Sequence, residues 1–262
     1  MSAGELFEDR SRAESFGAVA ELYERSRPSY PSALIEALVG AGARDVLDVG
    51  CGTGKAGAPL LERGCSVLGV EVDARMAEVA RAKGLEVEVA RFELWDPGPR
   101  RFDLLISGQA WHWIDPRAGA AKAAAALREG GRICLFWNRG DPPEHVRERL
   151  VPIYDRLAPE GESETSALER RGRVVRKTVA GIDRSGEFGP AEVSAFPWSQ
   201  VYTTEAWLEA RRTRSGHLSL EPQRRERLLE AVGDAIEALG GSFEVQYETV
   251  LVSAVRLARR LA

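Results

Sequence analysis

The stretch DVLDVGCGTG, residues 45–54, decides the fold that the rest of the chain must adopt. It begins as an apolar run that contains one acid, Asp48, and the run stops at the first of three glycines. A buried strand that ends in a glycine turn before a helix lets bare backbone approach a ligand, because a Cβ atom would block that approach. We therefore predict that this loop binds a small molecule. The loop residues in this prediction are Gly50, Cys51, Gly52, Thr53 and Gly54.

Two classes of ligand suit this glycine pattern. Residues 52–57, GTGKAG, satisfy the G-x-G-x-x-G pattern of dinucleotide-binding proteins, so an NAD(P)-dependent oxidoreductase is one interpretation. Asp48 favours a different ligand, because a carboxylate just before the first glycine suits an ammonium group and would repel a pyrophosphate. A phosphate-binding P-loop is excluded, since alanine and not serine or threonine follows Lys55.

A second predicted strand, residues 66–71, also ends in an acid. This acid, Glu71, lies 19 residues after Gly52. A carboxylate at the end of the second strand accepts hydrogen bonds from the ribose hydroxyls of an adenosine ligand. The feature fits every adenosine-containing cofactor, and by itself it does not separate one from another.

Further segments give the chain a family resemblance. DVLDVGCGTG resembles motif I of the class I S-adenosylmethionine-dependent methyltransferases. In that family's order and at its spacing follow GVEVD (69–73), ARFELWD (90–96), FDLLISGQAWHW (102–113) and LREGGRICLFWN (127–138). The first half of the chain most resembles the type 11 subgroup of small-molecule methyltransferases, with a distant resemblance to trans-aconitate methyltransferase. The second half resembles the subgroup only loosely.

The resemblance implies a Rossmann-like α/β fold. We expect a seven-stranded, doubly wound, mostly parallel sheet with an antiparallel last strand and a helical cap. At 262 residues the chain is long enough for one domain with a sizeable core. The expected parts of this single domain, 1–262, are N-terminal helices over the cofactor at 1–40, a cofactor-binding core at 41–138, a cap and substrate region at 139–215, and a C-terminal helix and strand at 216–262.

The resemblance also implies contacts with S-adenosylmethionine. Tyr23 and Arg27 are expected at the methionine end, with Arg27 pairing the carboxylate; a surface arginine stacked on a packed tyrosine is the alternative. Phe92 would flank the adenine or belong to the core, and Glu93 would accept a hydrogen bond from the adenine amino group. The other residues assigned to the cofactor are Val72, Met76, Arg91, Ser107, Gly108 and Gln109.

The loop GQAWHW, residues 108–113, follows the fourth predicted strand. Ligands bind beyond the carboxyl ends of the strands in open α/β sheets, so this loop should face the site or pack under it. His112 is the candidate catalytic residue, either as a general base or as a structural hydrogen-bond partner. Of the two tryptophans in the loop, we expect one to pack in the core. The candidate substrate residues are Trp111, Trp113, Trp137, Asn138 and Arg212, the last from an R-T-x-S segment that resembles trans-aconitate methyltransferase relatives.

Composition argues against several other classes of protein. The formal net charge of −4 gives no general attraction to nucleic acid or to an anionic membrane. No run approaches the ~20 apolar residues that span a bilayer, and the polar N-terminus predicts no signal peptide. The three cysteines and three histidines lack metal-ligand spacing, so we expect no metal site and a reducing, cytoplasmic location.

The sequence thus predicts an enzyme that transfers a methyl group from S-adenosylmethionine to an oxygen or nitrogen atom of a small molecule. S-adenosylhomocysteine would be the product. An NAD(P)-dependent oxidoreductase and a non-catalytic S-adenosylmethionine-binding protein remain as alternatives. The sequence makes no prediction about the oligomeric state.

Overall fold

The computed structural model describes residues 16–40, 42–159 and 164–258. Residues 1–15, which belong to the expected N-terminal part, lie outside the described residues. The strands are β1 (Asp45–Val49), β2 (Ser66–Glu71), β3 (Glu86–Val89), β4 (Phe102–Gly108), β5 (Leu127–Asp141), β6 (Glu192–Thr203) and β7 (Ser242–Val255). They form a seven-stranded sheet in the order β3-β2-β1-β4-β5-β7-β6.

The sheet is parallel except at β7. β1 pairs in parallel with β2 and β4, β2 with β3, and β4 with β5. β7 runs antiparallel to both β5 and β6. The strand order reverses between β1 and β4, and such a switch point opens a crevice at the carboxyl ends of the strands. The expected Rossmann-like sheet with an antiparallel last strand is confirmed.

Helices pack on both faces of this sheet. They are α1 (Ala20–Ser26), α2 (Ser32–Val39), α3 (Ala58–Leu61), α4 (Ala74–Ala82), α5 (Pro116–Ala126), α6 (Glu144–Leu157), α7 (Glu164–Ser185), α8 (Thr204–Arg212), α9 (Ser215–Leu218) and α10 (Pro222–Glu237). Because successive strand residues point to opposite faces, Leu47 joins a core cluster with α5 and α7, whereas Val46 joins one with α2 and α3. A third cluster joins α6, α8 and α10 to β6 and β7.

The last strands of the sheet are long. β6 continues without a break through Pro197, although proline lacks an N–H donor. β6 lies at the end of the sheet and, among the described strands, pairs with β7 alone, so one of its edges needs no N–H donors. β5 extends to Asp141 because each of its residues from Arg132 onward pairs with β7.

The charged segment after α6 forms the long helix α7. Ile182 is buried, and Val175 and Val179 pack against the same core cluster as the central strands. These apolar residues recur at helical spacing, which holds one stripe of α7 on the sheet and leaves its charged stripe outside. The division of the chain into a core and a cap stays a prediction.

The structure also bears on membrane insertion. Within the part of the chain that it describes, no helix combines the length and the apolar character that crossing a bilayer requires.

Candidate active site

A cavity of about 340 Å³ lies along the carboxyl edge of the sheet. The ends of β1, β2, β4 and β5 reach it, together with residues of α1 and α8. The predicted site residues that line it are Tyr23, Arg27, Asp48, Gly50, Cys51, Gly52, Thr53, Glu71, Val72, Met76, Arg91, Phe92, Glu93, Gly108, Gln109, His112, Trp113, Trp137 and Asn138. Those that lie outside its wall are Gly54, Ser107, Trp111 and Arg212.

The glycine loop after β1 needs its glycines for two reasons. Gly50 and Gly52 have φ angles of 66° and 55°, in the left-handed region that glycine adopts most easily. A Cβ atom on Gly50 would lie 2.4 Å from the Cβ atom of Ala110, so the loop after β4 leaves no space for a side chain. Gly54 has another role, since a Cβ atom there would lie 3.2 Å from the Cβ atom of Ala80 in α4.

Glu71 ties the end of β2 to this loop. Its Oε2 accepts a hydrogen bond from the N–H of Gly52 at 2.8 Å, and its Oε1 accepts from the N–H groups of Val72 at 2.9 Å and Asp73 at 3.0 Å. Burial raises the pKa of Glu71, and these three backbone donors oppose the rise. The carboxylate is therefore fixed at the cavity wall beside the glycine loop.

Asp48 is fully buried under the same loop. Neither of its carboxylate oxygens has a hydrogen-bond partner of ordinary geometry among the described residues. Burial first and the neighbouring Glu71 second raise the pKa of Asp48 to about 8, against a smaller opposing effect of the Gly57 N–H. A buried carboxyl group without a partner is costly, and a cationic ligand group would remove that cost.

The residues expected around an adenine lie together beyond β2 and β3. Met76 is buried in the first turn of α4. Phe92 lines the cavity, and its ring also stacks on Trp95 with centroids 6.2 Å apart, so it borders both the cavity and the core. Glu93 lines the cavity and accepts a hydrogen bond from the Asp115 N–H at 3.3 Å.

The segment around α1 closes over the cavity. The guanidinium carbon of Arg27 lies 5.1 Å from the ring centroid of Tyr23, and its Nη2 donates to the carbonyl oxygen of Thr213 at 2.9 Å. Burial lowers the pKa of Arg27 and raises that of Tyr23. A Cβ atom on Gly108 would lie 2.5 Å from the hydroxyl oxygen of Tyr30, so the glycine at the end of β4 permits this closure.

The two tryptophans of the loop after β4 have different environments. Trp111 is buried in the core, with its ring centroid 6.1 Å from that of Phe92. Trp113 lines the cavity. His112 lies between them, and its Nδ1 accepts a hydrogen bond from the indole Nε1–H of Trp137 at 3.2 Å. The loop thus presents one indole and one imidazole to the cavity.

Two of the predicted residues hold the fold together through hydrogen bonds. The amide nitrogen of Asn138 donates to the carbonyl oxygen of Ser29 at 2.9 Å, and its amide oxygen accepts from the hydroxyl of Thr249 at 2.7 Å. The hydroxyl of Ser107 donates to the carbonyl oxygen of Val49 at 2.8 Å, joining β4 to β1 under the cavity.

Arg212, a candidate substrate residue, lies away from the cavity, because the packing of α8 turns its neighbour Arg211 toward the cavity instead. The guanidinium of Arg212 forms an ion pair with Glu226, with an N–O distance of 2.7 Å. Arg211 lines the cavity instead, stacked 3.7 Å above the ring centroid of Trp207, and Arg214 lines it as well. Trp207, Arg211 and Arg214 were not among the residues predicted from the sequence. The spacing of four between the tryptophan and the arginine, which puts both on one face of a helix, was the available signal.

The fold and the cavity together define a class of protein. A glycine loop after the first strand and an acid at the end of the second meet at the switch point of a Rossmann-like sheet. This arrangement is typical of α/β proteins that bind an adenosine-containing cofactor.

Comparison with known proteins shows the family. Residues 46–131 match the sequence model of a methyltransferase domain. A protein of Mycobacterium tuberculosis described as an uncharacterized methyltransferase is 34% identical over 253 residues, which cover 94% of this chain and 97% of that protein. The chain belongs to the class I S-adenosylmethionine-dependent methyltransferases. The oxidoreductase and the non-catalytic binding protein are therefore set aside.

Solved structures share the fold. A structure from Anaeromyxobacter dehalogenans assigned as a type II methyltransferase superposes with a TM-score of 0.66 at 24% identity, over 89% of this chain and 99% of that one. Phosphoethanolamine N-methyltransferase 2 of Haemonchus contortus, in complex with S-adenosyl-L-methionine, gives a TM-score of 0.53 at 16% identity over 98% of this chain and 61% of that one.

Proposed function

We propose that this chain binds S-adenosylmethionine in the cavity and transfers its methyl group to an oxygen or nitrogen atom of a small molecule. The observation that carries the proposal is the pair of buried carboxyl groups, Asp48 and Glu71, beside the glycine loop. Glu71 suits the ribose hydroxyls, and Asp48 suits the ammonium of the methionine end. The Haemonchus enzyme, which has the same fold, binds this cofactor.

Buried polar groups of the cavity that lack a hydrogen-bond partner fit the amino acid end of S-adenosylmethionine. The oxygens of Asp48 and the Nε of Arg27 are buried and have no hydrogen-bond partner in the described part of the chain. An α-ammonium and an α-carboxylate would satisfy one acid and one base at the same time. Met76 and Phe92 would pack against the adenine, where both already line an apolar part of the wall.

For methyl transfer, the main contribution of the protein is to position the cofactor and the acceptor. When bound, S-adenosylmethionine supplies a methyl group on a positively charged sulfur, which is already activated for transfer. The chain contributes by holding the acceptor in line and by keeping water out. Trp113 and Tyr30, together with the α1 segment, enclose the space beyond β4 where the acceptor would lie.

We further propose that His112 orients the acceptor as a hydrogen-bond donor. Its Nδ1 accepts from the indole of Trp137, and a neutral imidazole that accepts at Nδ1 carries its proton on Nε2. In this state Nε2 donates, so His112 would hold an oxygen lone pair of the acceptor other than the pair that attacks the methyl group, and the proton released on methyl transfer passes to water. The general-base role expected from the sequence stays a prediction.

Replacement of His112 tests this role. His112→Ala should lower turnover about tenfold while the affinity for S-adenosylhomocysteine stays within about twofold, because one hydrogen bond to the acceptor is lost. His112→Gln should recover part of the rate, since a glutamine amide also donates. Turnover is measured with an acceptor found by screening hydroxyl and amine compounds. A glutamine variant as slow as the alanine variant would contradict the donor role.

Cofactor affinity should depend on pH through Asp48. Below about pH 8 Asp48 is protonated in the free protein and does not pair with an ammonium. Affinity for S-adenosylhomocysteine should therefore rise with pH, by up to about tenfold per pH unit until about pH 8. Asp48→Asn should remove this part of the rise, whereas the ligand's own amine titrates equally in both proteins. Identical pH profiles by calorimetry would contradict the prediction.

The direct test of the proposed function is calorimetric titration with S-adenosylhomocysteine and, in parallel, with NAD⁺ and NADPH. We expect micromolar binding of S-adenosylhomocysteine and none of the nicotinamide nucleotides. Binding of a nicotinamide nucleotide alone would overturn the proposal and assign the glycine loop to a pyrophosphate.

A further inference from the structure

The hydroxyl of Tyr30 has no hydrogen-bond partner within the described part of the chain. Tyr30 lies in the turn between α1 and α2 and lines the cavity. A phenol oxygen has lone pairs that accept hydrogen bonds and a proton that donates one. Because a half-buried polar group without a partner is costly, this arrangement favours a ligand atom that meets the hydroxyl.

This hydroxyl lies over the end of β4. A Cβ atom on Gly108, the last residue of β4, would lie only 2.5 Å from the hydroxyl oxygen of Tyr30. The oxygen thus fills the place that a side chain at the end of β4 would take. β4 lies next to β1, where the strand order reverses and the crevice opens. Tyr30 therefore presents a polar atom at the switch point of the sheet.

The position of Tyr30 is fixed before any ligand binds. Its ring packs edge-on against Phe136 of β5, with centroids 4.8 Å apart and an angle of 87° between the planes. The carbonyl oxygen of Ser29, just before it, accepts a hydrogen bond from the amide nitrogen of Asn138 at 2.9 Å. Pro31 follows, and a residue before proline is restricted to extended backbone. A hydroxyl held in this way loses little conformational freedom when it meets a ligand.

The hydroxyl of Tyr30 also stays protonated. Burial first, followed by Tyr23 and Asp48, raises the pKa of Tyr30 well above its ordinary value, and Arg27 opposes part of the rise. The group is therefore a neutral phenol at every physiological pH. Its oxygen carries a partial negative charge, which attracts a cationic ligand group without the cost of burying a full charge.

One part of S-adenosylmethionine is not yet assigned to any residue. The adenine, the ribose hydroxyls and the amino acid end each have proposed partners, whereas the sulfur, which carries the positive charge and the methyl group, has none. This sulfur connects the ribose to the amino acid end. Tyr30 lies close enough to Asp48 and Arg27, the residues proposed for the amino acid end, that both affect its pKa. It also covers the strand end from which the loop with His112 begins, so its hydroxyl borders both the cofactor and the acceptor space.

We propose that the hydroxyl oxygen of Tyr30 contacts the methyl group on the charged sulfur and thereby makes the site prefer S-adenosylmethionine to S-adenosylhomocysteine. Methyl hydrogens on a positively charged sulfur carry partial positive charge, and such C–H groups form weak hydrogen bonds with oxygen. S-adenosylhomocysteine has neither the charge nor the methyl group, so it cannot make this contact. This inference rests on the proposed function, and it adds how the site distinguishes the cofactor from the product.

Tyr30→Phe tests the inference, because it removes the hydroxyl and keeps the ring that packs on Phe136. Three ligands are titrated by calorimetry: S-adenosylmethionine, S-adenosylhomocysteine and sinefungin, an analogue with an amino group at the methyl position. We expect binding of S-adenosylmethionine to weaken about threefold to fivefold. Sinefungin should bind about tenfold more weakly, since its charged amine forms a stronger hydrogen bond. The affinity for S-adenosylhomocysteine should stay within about twofold.

Tyr247→Phe is the matched control. It removes a phenol hydroxyl from the same cavity, but this hydroxyl already bonds that of Tyr202 at 2.8 Å. The ratio of the affinities for S-adenosylmethionine and S-adenosylhomocysteine should therefore equal that of the unchanged protein. A cooperative thermal transition shows that each variant is folded.

Three results would overturn the inference while leaving the proposed function intact. The first is an unchanged affinity ratio in Tyr30→Phe; if both ligands then bind more weakly, the hydroxyl holds a part that the two share. The second is an equal fall of the ratio in Tyr247→Phe, and the third is an unchanged affinity of Tyr30→Phe for sinefungin. Failure of S-adenosylhomocysteine to bind the unchanged protein would instead overturn the proposed function, and this inference with it.

Discussion

Replacing Glu71 with alanine is expected to weaken S-adenosylhomocysteine binding by about 100-fold or more. The carboxylate is the proposed acceptor for the ribose hydroxyls, and hydrogen bonds to a charged group are each worth about 1.5–3 kcal/mol. Its removal also leaves the N–H groups of Gly52, Val72 and Asp73 without the partner that they have now. The substitution therefore removes ligand contacts and loosens the loop that presents them. Calorimetric titration measures the loss.

The control for this variant is Glu62→Ala. Glu62 is an exposed acid at the end of α3, so its replacement changes the net charge equally without touching the cavity. Its affinity for S-adenosylhomocysteine should equal that of the unchanged protein. A Glu71→Ala protein that has a cooperative thermal transition and still binds with unchanged affinity would show that the ribose is held elsewhere.

Replacing Gly50 with alanine is expected to have the second large effect. The new methyl group would lie 2.4 Å from the Cβ atom of Ala110, and the φ angle of 66° adds strain for any residue with a side chain. Left-handed backbone costs about 1–2 kcal/mol and overpacking about 1–3 kcal/mol. The free energy of unfolding should therefore fall by about 3 kcal/mol, and the displaced loop should lose cofactor affinity.

Gly64→Ala separates the two contributions to this effect. Gly64 also has a positive φ angle, of 80°, but no heavy atom lies within 4 Å of the position that its Cβ would take. Its replacement should cost about 1 kcal/mol, from backbone strain alone, and leave cofactor affinity unchanged. Urea unfolding measures both variants. Equal losses of stability would mean that the contact with Ala110 contributes nothing.

The sequence by itself determined the sheet and the part of the cavity formed by the glycine loop and the ends of β1 and β2. Short apolar runs predict buried strands, and glycine or an acid directly after such a run must lie at the carboxyl edge. Asp48, Gly50 and Glu71 satisfy this local rule, so their positions followed without knowledge of distant contacts. The antiparallel last strand, β7, was expected from the family resemblance.

Only the tertiary structure decided which side chain of α8 faces the cavity and the state of individual groups. Arg211 and Arg212 differ by one position, which is about 100° around a helix, and the packing of α8 selects the one that faces the cavity. The hydrogen-bond donor to His112 Nδ1 is Trp137, which lies 25 residues away in the chain. The pKa of Asp48 depends on burial and on Glu71. Such properties arise from neighbours that are distant in sequence, and no local pattern encodes them.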